Sequence, residues 1–174
     1  MRIWNHALTI GFFSYGLSLG MDVRSCFTPS ERCAPAIENE IAQAKKEILV
    51  AMYSFTSRDL AVALSNARQR GVQVRVILDL EADQKTGFSQ GDLLARSGIE
   101  VRRVTGKLRE GAETRGIMHH KFSVIDRAVV ITGSYNWSQA AETVNGENVL
   151  VFRDAGSLAE EYRREFEKLW RSRR

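Results

Sequence analysis

Two apolar runs constrain this chain more than any other feature. ILVAMYSF, Ile48 to Phe55, is nearly continuous, and VQVRVILDL, Val72 to Leu80, is a second run of the same kind. Runs this short, bounded by polar residues, read as strands buried on both faces. Between them RDLAVALSNARQR has helical patterning, with Ser57 placed to cap its start and Gly71 to end it. Strand, helix, strand in that order is a parallel βαβ unit, which puts the chain in the α/β class.

The flanking sequence extends the layered pattern. APAIENEIAQAKKE predicts an amphipathic helix, with Ala36, Ile37, Ile41 and Ala44 at helical spacing. A helix is expected around Asp92–Ser97, stopped by Gly98, and a strand over Ile99–Val104. KFSVID and AVVITGS predict two strands with Arg127 near the turn, then a short helix over Ser138–Glu142 and a strand, ENVLVFR, over Glu147–Arg153. The last helix carries Leu158, Tyr162, Phe166 and Leu169 on one face. The length of 174 residues fits one domain, and a 44% hydrophobic composition is enough to build its core. The expected architecture is a mixed, mostly parallel β-sheet with helices on both faces, over residues 22–174. Residues 105–117, TGKLREGAETRGI, read as a basic loop through Lys107, Arg109 and Arg115. It is either a solvated surface loop or one wall of an anion-binding groove.

The first 20 residues read differently. Arg2 and His6 precede an apolar run from Ala7 to Gly20, too short for a comfortable membrane span of about 20 residues. It fits a secretory h-region, with Ser18 and Gly20 as small residues ahead of a cut before Met21. The alternatives are a buried first element or an uncleaved anchor. The expected location is therefore secreted or periplasmic. Such a cut removes only Arg2 among the charged residues, leaving 24 basic against 21 acidic, a balance of +3. The whole chain is mildly basic at +4, compatible with a polyanionic partner or an anionic membrane surface. Cys26 and Cys33 are the two cysteines, and their separation is wider than the usual zinc knuckle. In an exported chain a disulfide is the natural reading, contributing about 2–3 kcal/mol by the loop-entropy model. The alternative is a zinc site shared with His119 and His120.

The chemistry concentrates between residues 114 and 141. There the pattern H-x-K-x4-D-x6-G-S-x-N begins at His119. By strand alternation His119 and Lys121 point the same way. Lys121 supplies a fixed positive charge, while Ser134 and Asn136 supply donors suited to phosphate oxygens. An imidazole beside them can attack phosphorus or shuttle a proton. A nucleophilic imidazole must be neutral and held in one tautomer, and Glu147, at the start of the next strand, is the candidate carboxylate.

These residues resemble the HKD motif that defines the phospholipase D superfamily. The match is to its small single-motif branch, the Nuc-type endonucleases, with the mitochondrial Zucchini proteins as relatives. AMYSFTSRDLAVAL, ARQRGVQVRVILD, TGSYNWSQAAETVNGENVLVF and LAEEYRREFEKLW look like successive segments of that branch, over roughly residues 22–171. The resemblance implies the phospholipase D/nuclease fold and phosphodiester hydrolysis through a phosphohistidine on His119. It implies that Lys121 and Asn136 bind phosphate oxygens, assisted by Ser134, and that Asp126 is largely an orienting, structural carboxylate. It implies that Glu147 fixes the histidine tautomer, and that no metal or cofactor takes part. The family's site needs two motifs, and His6, His119 and His120 are the only histidines here. The resemblance therefore implies a homodimer with two motifs meeting at its interface. Tyr135 and Trp137 flank Asn136 where relatives often carry Phe; packing in the core is their simplest role. The expected substrate is DNA or RNA. The alternative is a phospholipid such as phosphatidylcholine, and a third possibility is a nucleic-acid-binding module without activity.

Overall fold

The computed structural model describes residues 20–85, 87–108, 111 and 115–172. Apart from Gly20, the expected leader lies outside the described residues, as does Arg109 of the basic loop. The elements in chain order are β1 (Asp22–Thr28), α1 (Ala34–Gln43), β2 (Glu47–Met52), α2 (Arg58–Gln69), β3 (Gln73–Asp79), α3 (Leu80–Lys85), α4 (Gly91–Arg96), β4 (Glu100–Val104), β5 (Lys121–Ile125), β6 (Val129–Gly133), α5 (Gln139–Thr143), β7 (Glu147–Arg153) and α6 (Gly156–Arg171).

The strands form one sheet in the order β1-β7-β6-β5-β2-β3-β4. The mixed sheet is as expected, but its balance is not. Only β2·β3 and β3·β4 are parallel, and the other four pairs are antiparallel. The reason lies in the connections. Helical crossovers join β2 to β3 and β3 to β4, as parallel pairs require. β5 and β6 are joined by a tight turn in which Asp126 and Arg127 take φ of 51° and 57°. A turn that short returns the chain antiparallel.

Helices cover both faces. In β2, Ile48, Val50 and Met52 join the layer under α1, α2 and α4, with Ile37, Ile41, Leu60, Leu64 and Leu94. Leu49 and Ala51 point the other way, into the layer under α6, with Ile77, Val124, Val130 and Phe166. That two-sided burial explains the nearly continuous apolar run, since each such side chain contributes about 1.5–3 kcal/mol when fully buried. Ser57 caps α2 as expected, its side chain accepting from the Leu60 N–H at 3.4 Å.

Cys26 and Cys33 are bonded to each other, tying β1 to the start of α1. This removes both thiols from the zinc alternative. Among the described residues no helix is long and apolar enough to cross a membrane.

Candidate active site

The topology brings one edge of the sheet together from four strands. Lys121, the first residue of β5, pairs with Met52 at the end of β2. Because β6 runs antiparallel to β5, its last residue, Gly133, returns to the same edge, where it pairs with Val149 near the start of β7. The segment from Met118 to His120 enters this edge from the loop after β4.

Two anchors hold that segment. Asp79, fully buried at the end of β3, accepts the Met118 N–H with Oδ2 at 2.8 Å. Its Oδ1 accepts from the N–H groups of Glu81 and Ala82, which open α3. The His120 carbonyl accepts the Tyr53 N–H at 2.9 Å. His119 is thereby gripped on either side by its neighbours' backbones. Its ring meets the Tyr53 ring edge-on at 4.5 Å between centroids. The Lys121 ammonium lies 5.1 Å from the centre of the same ring and donates to the His119 carbonyl at 3.0 Å. Partial desolvation, then the Lys121 charge, hold the His119 pKa below the ordinary imidazole value, against an opposing pull from Asp79. Partial burial lowers the Lys121 pKa as well, and the Glu147 carboxylate opposes it.

Ser134 and Asn136 follow β6. The Ser134 hydroxyl accepts the Asn148 N–H at 3.0 Å, which leaves its own proton to donate outward. The Ser134 N–H in turn lies 3.2 Å from the Asn148 side-chain oxygen. The close approach of the two backbones here requires Gly133: with φ at 152°, an added Cβ would stand 2.1 Å from the Asn148 carbonyl oxygen. Asn136 Oδ1 is buried with no hydrogen-bond partner among the described residues, so its amide is not committed to an internal bond through that atom. Tyr135 and Trp137 are buried core residues, as expected.

Of the other two expected site residues, Asp126 stands elsewhere and Glu147 lacks its expected partner. Asp126 lies beyond the far end of β5, roughly 16 Å of strand from the Lys121 end at about 3.3 Å per residue. Its carboxylate accepts the N–H groups of Lys45, Lys46 and Glu47 at 2.7, 2.7 and 2.9 Å. Its place is structural, and it is too distant to act in catalysis within the chain. Glu147 lies at the right edge, but its Oε1 accepts from Asn145 Nδ2 at 3.1 Å, and no hydrogen bond joins it to His119. Within one chain its charge acts on Lys121 instead. Three residues of the site were missed from sequence: Tyr53, Asp79 and Asn148. Only Asp79 left a signal, as an acid ending an otherwise apolar strand.

A family model described as cardiolipin synthase, PLD-like domain, matches residues 37–170. The chain belongs to the phospholipase D superfamily. Superfamily relatives include a phospholipase D of Rickettsia felis, 39% identical over 80% of this chain and 65% of its own length. A mitochondrial cardiolipin hydrolase of Mus musculus is 35% identical over 89% of this chain and 66% of its own length. The chain thus spans about two thirds of the length of these curated relatives. Among solved superfamily structures, NucT from Helicobacter pylori is similar at a TM-score of 0.83 and 27% identity, covering 88% of this chain and 98% of NucT. Nuc from Salmonella typhimurium, described as a phospholipase D family member, is similar at 0.76 and 30% identity, covering 87% of this chain and 95% of Nuc.

Proposed function

We propose that this chain is a phosphodiesterase that cleaves nucleic acid through a phosphohistidine on His119, as a homodimer. One observation supports the chemistry above the others. A single imidazole, held below its ordinary pKa, shares one sheet edge with an ammonium, a hydroxyl and an amide. A neutral imidazole is a competent nucleophile near neutral pH. Lys121, Ser134 and Asn136 take the nonbridging oxygens of the diester and the charge that develops there.

The imidazole nitrogen attacks phosphorus, a P–N bond forms, and the P–O bond to the leaving group breaks. The leaving oxygen takes a proton from the His119 of the second copy. Water then attacks the phosphohistidine, giving its proton back to that second imidazole as the P–N bond breaks. The second copy supplies the second imidazole, since this sequence carries one such motif. Tyr53 and the backbone anchors at Met118 and His120 orient the ring within each chain.

The nucleic-acid reading is favoured by the two Nuc-type structures, because the chain spans nearly all of each. The phospholipid reading is supported by the names of the curated relatives and by exposed Leu108 and Ile117 near the site. The disulfide fits an oxidising compartment, so we place the protein outside the cytoplasm, with residues 1–20 as leader. Single-stranded DNA incubated in excess EDTA, beside a His119→Ala control, tests the activity. Cleavage by the wild type alone is expected. Cleavage of phosphatidylcholine vesicles but not DNA would move the substrate to lipid. Equal cleavage by both proteins would remove His119 from the mechanism.

A further inference from the structure

Beside His119 lies a cleft of about 320 Å³, between the loop after β4 and the C-terminal half of α6. It falls at the lower end of the range for small-molecule sites, roughly 300–1,000 Å³. Its walls include Lys107, Arg115 and Lys168, and its apolar lining includes Ile117, Met118 and Leu169. The Glu165 carboxylate is also there, but Lys168 Nζ meets it at 3.2 Å and His120 Nε2 at 3.9 Å. Among the described residues, Lys107 and Arg115 are the cationic surplus.

The loop wall is a built structure. The Gly106 N–H donates to the Gly116 carbonyl at 2.6 Å, and the Gly116 N–H to the Lys107 carbonyl at 3.0 Å. Leu108 and Arg115 continue this narrow ribbon as an antiparallel bridge. A Cβ on residue 106 would stand 2.5 Å from the Gly116 carbonyl carbon, so the two chains close only around a glycine. The ribbon continues into Met118, the residue that Asp79 pins ahead of His119. The backbone that carries the two cations is therefore tied to the segment that carries the nucleophile.

We propose that this cleft is a subsite for the nucleotide next to the scissile phosphate, an inference that rests on the nucleic-acid reading above. Lys107 and Arg115 take the neighbouring phosphate, and the base lies against Ile117 and Leu169. His119 lines the same cleft, so a strand whose scissile phosphate sits at His119 carries its next unit into it. The shape favours a single strand over a lipid surface. Met118 is 3% exposed, and a flat bilayer cannot reach into the recess that it lines, whereas one unstacked nucleotide can.

The test is a Lys107→Ala/Arg115→Ala double variant, with Lys168→Ala as a second. Activity is read as the ratio of kcat/KM for a short single-stranded oligonucleotide to that for bis(p-nitrophenyl) phosphate, which carries no second phosphate for Lys107 and Arg115 to take. Affinity is read in a His119→Ala background as anisotropy of a labelled oligonucleotide, independent of any cleavage. Each lost phosphate contact reduces the slope of log affinity on log salt by about 0.7 for a single strand, and the two cations share one phosphate, so the double variant should lose about 0.7. That makes the protein with both cations about 2.6-fold more sensitive than the double variant to a change from 50 to 200 mM salt. A lower ratio together with a shallower slope supports the subsite. An unchanged ratio and slope overturn it, and if the double variant then also loses binding to phosphatidylglycerol vesicles, the cleft serves a lipid surface instead. Oligonucleotide binding that depends on the two cations, in a protein that cuts no nucleic acid, would keep the site and remove the nuclease reading.

Discussion

Tyr53 stands edge-on to His119, with 4.5 Å between ring centroids, and the Lys121 ammonium lies 5.1 Å from the centre of the same ring. One aromatic ring thus positions both the candidate nucleophile and the cation beside it. Contacts of these kinds contribute about 0.5–1.5 and 0.5–1 kcal/mol. Tyr53→Leu should therefore lower kcat/KM about tenfold, at 1.36 kcal/mol per decade. Tyr53→Phe keeps the ring and should restore most of the loss. If Tyr53→Phe is as impaired as Tyr53→Leu, the hydroxyl is the working group and the ring is not.

The His119 pKa is lowered by desolvation first and the Lys121 charge second. In the proposed mechanism its neutral form is the nucleophile, so activity should be lost as pH falls through an inflection below the ordinary value of about 6.5. With bis(p-nitrophenyl) phosphate the leaving group needs no proton, and the rate should then reach a plateau. With an oligonucleotide the second imidazole must deliver a proton, so the rate should fall again once both are neutral. Tyr53→Leu exposes the ring to water and should move the acid limb upward. An acid limb above 6.5 in the wild type would contradict the desolvated imidazole.

The central βαβ unit was legible because β2 and β3 are buried on both faces, which writes them as apolar runs. The H-x-K pattern was legible because its members are close in sequence. β1 left no comparable trace. It is an edge strand in which Thr28 alone is buried and Cys26 half-buried, so no alternation shows. The helix expected to run on to Glu47 ends at Gln43, because the N–H groups of Lys45 to Glu47 turn to Asp126, 80 residues later in the case of Lys46. Tyr53 and Asp79 reach the site only through the order of strands, which local pattern does not carry. Strand direction is of the same kind: the apolar runs say that β5 is buried, not that it lies antiparallel to β2.

Asp126 accepts three backbone N–H groups where α1 turns into β2. Against the desolvation that would raise it, those bonds hold its carboxyl below the usual range. A carboxyl with a depressed folded pKa stabilises the fold above its unfolded pKa, about 3.9, and that contribution is lost as pH falls through the lower folded value. Asp126→Ala should cost about 2–4 kcal/mol of stability in urea denaturation, since bonds to a charged group contribute about 1.5–3 kcal/mol each and water replaces some of them. The kcat of the folded fraction should stay near wild type. A collapse of kcat without loss of stability would return Asp126 to the active site.

The disulfide connects to the turn over residues 134–136 through one buried carboxylate. Glu142 Oε2 accepts the N–H groups of Cys33 and Ala34, each at 3.1 Å, and the Tyr135 hydroxyl at 2.9 Å. Tyr135 sits between Ser134 and Asn136, and burial together with this bond raises its phenol pKa. Thr28, two residues beyond Cys26, accepts the Glu147 N–H at 3.2 Å, so β1 holds the other side of the same edge. Reducing Cys26–Cys33 should cost about 2–3 kcal/mol by the loop-entropy model. It should also raise KM for the diester more than it lowers kcat, because in the proposed mechanism the groups that it loosens bind phosphate oxygens, and His119 is anchored separately. Glu142→Ala leaves three buried donors unpaired and should destabilise by about 3–5 kcal/mol. Cys26→Ser/Cys33→Ser compared with the dithiothreitol-treated wild type measures the first effect by thermal unfolding and the second by kinetics. Lower Tm with an unchanged KM would confine the disulfide to stability and sever the link through Glu142.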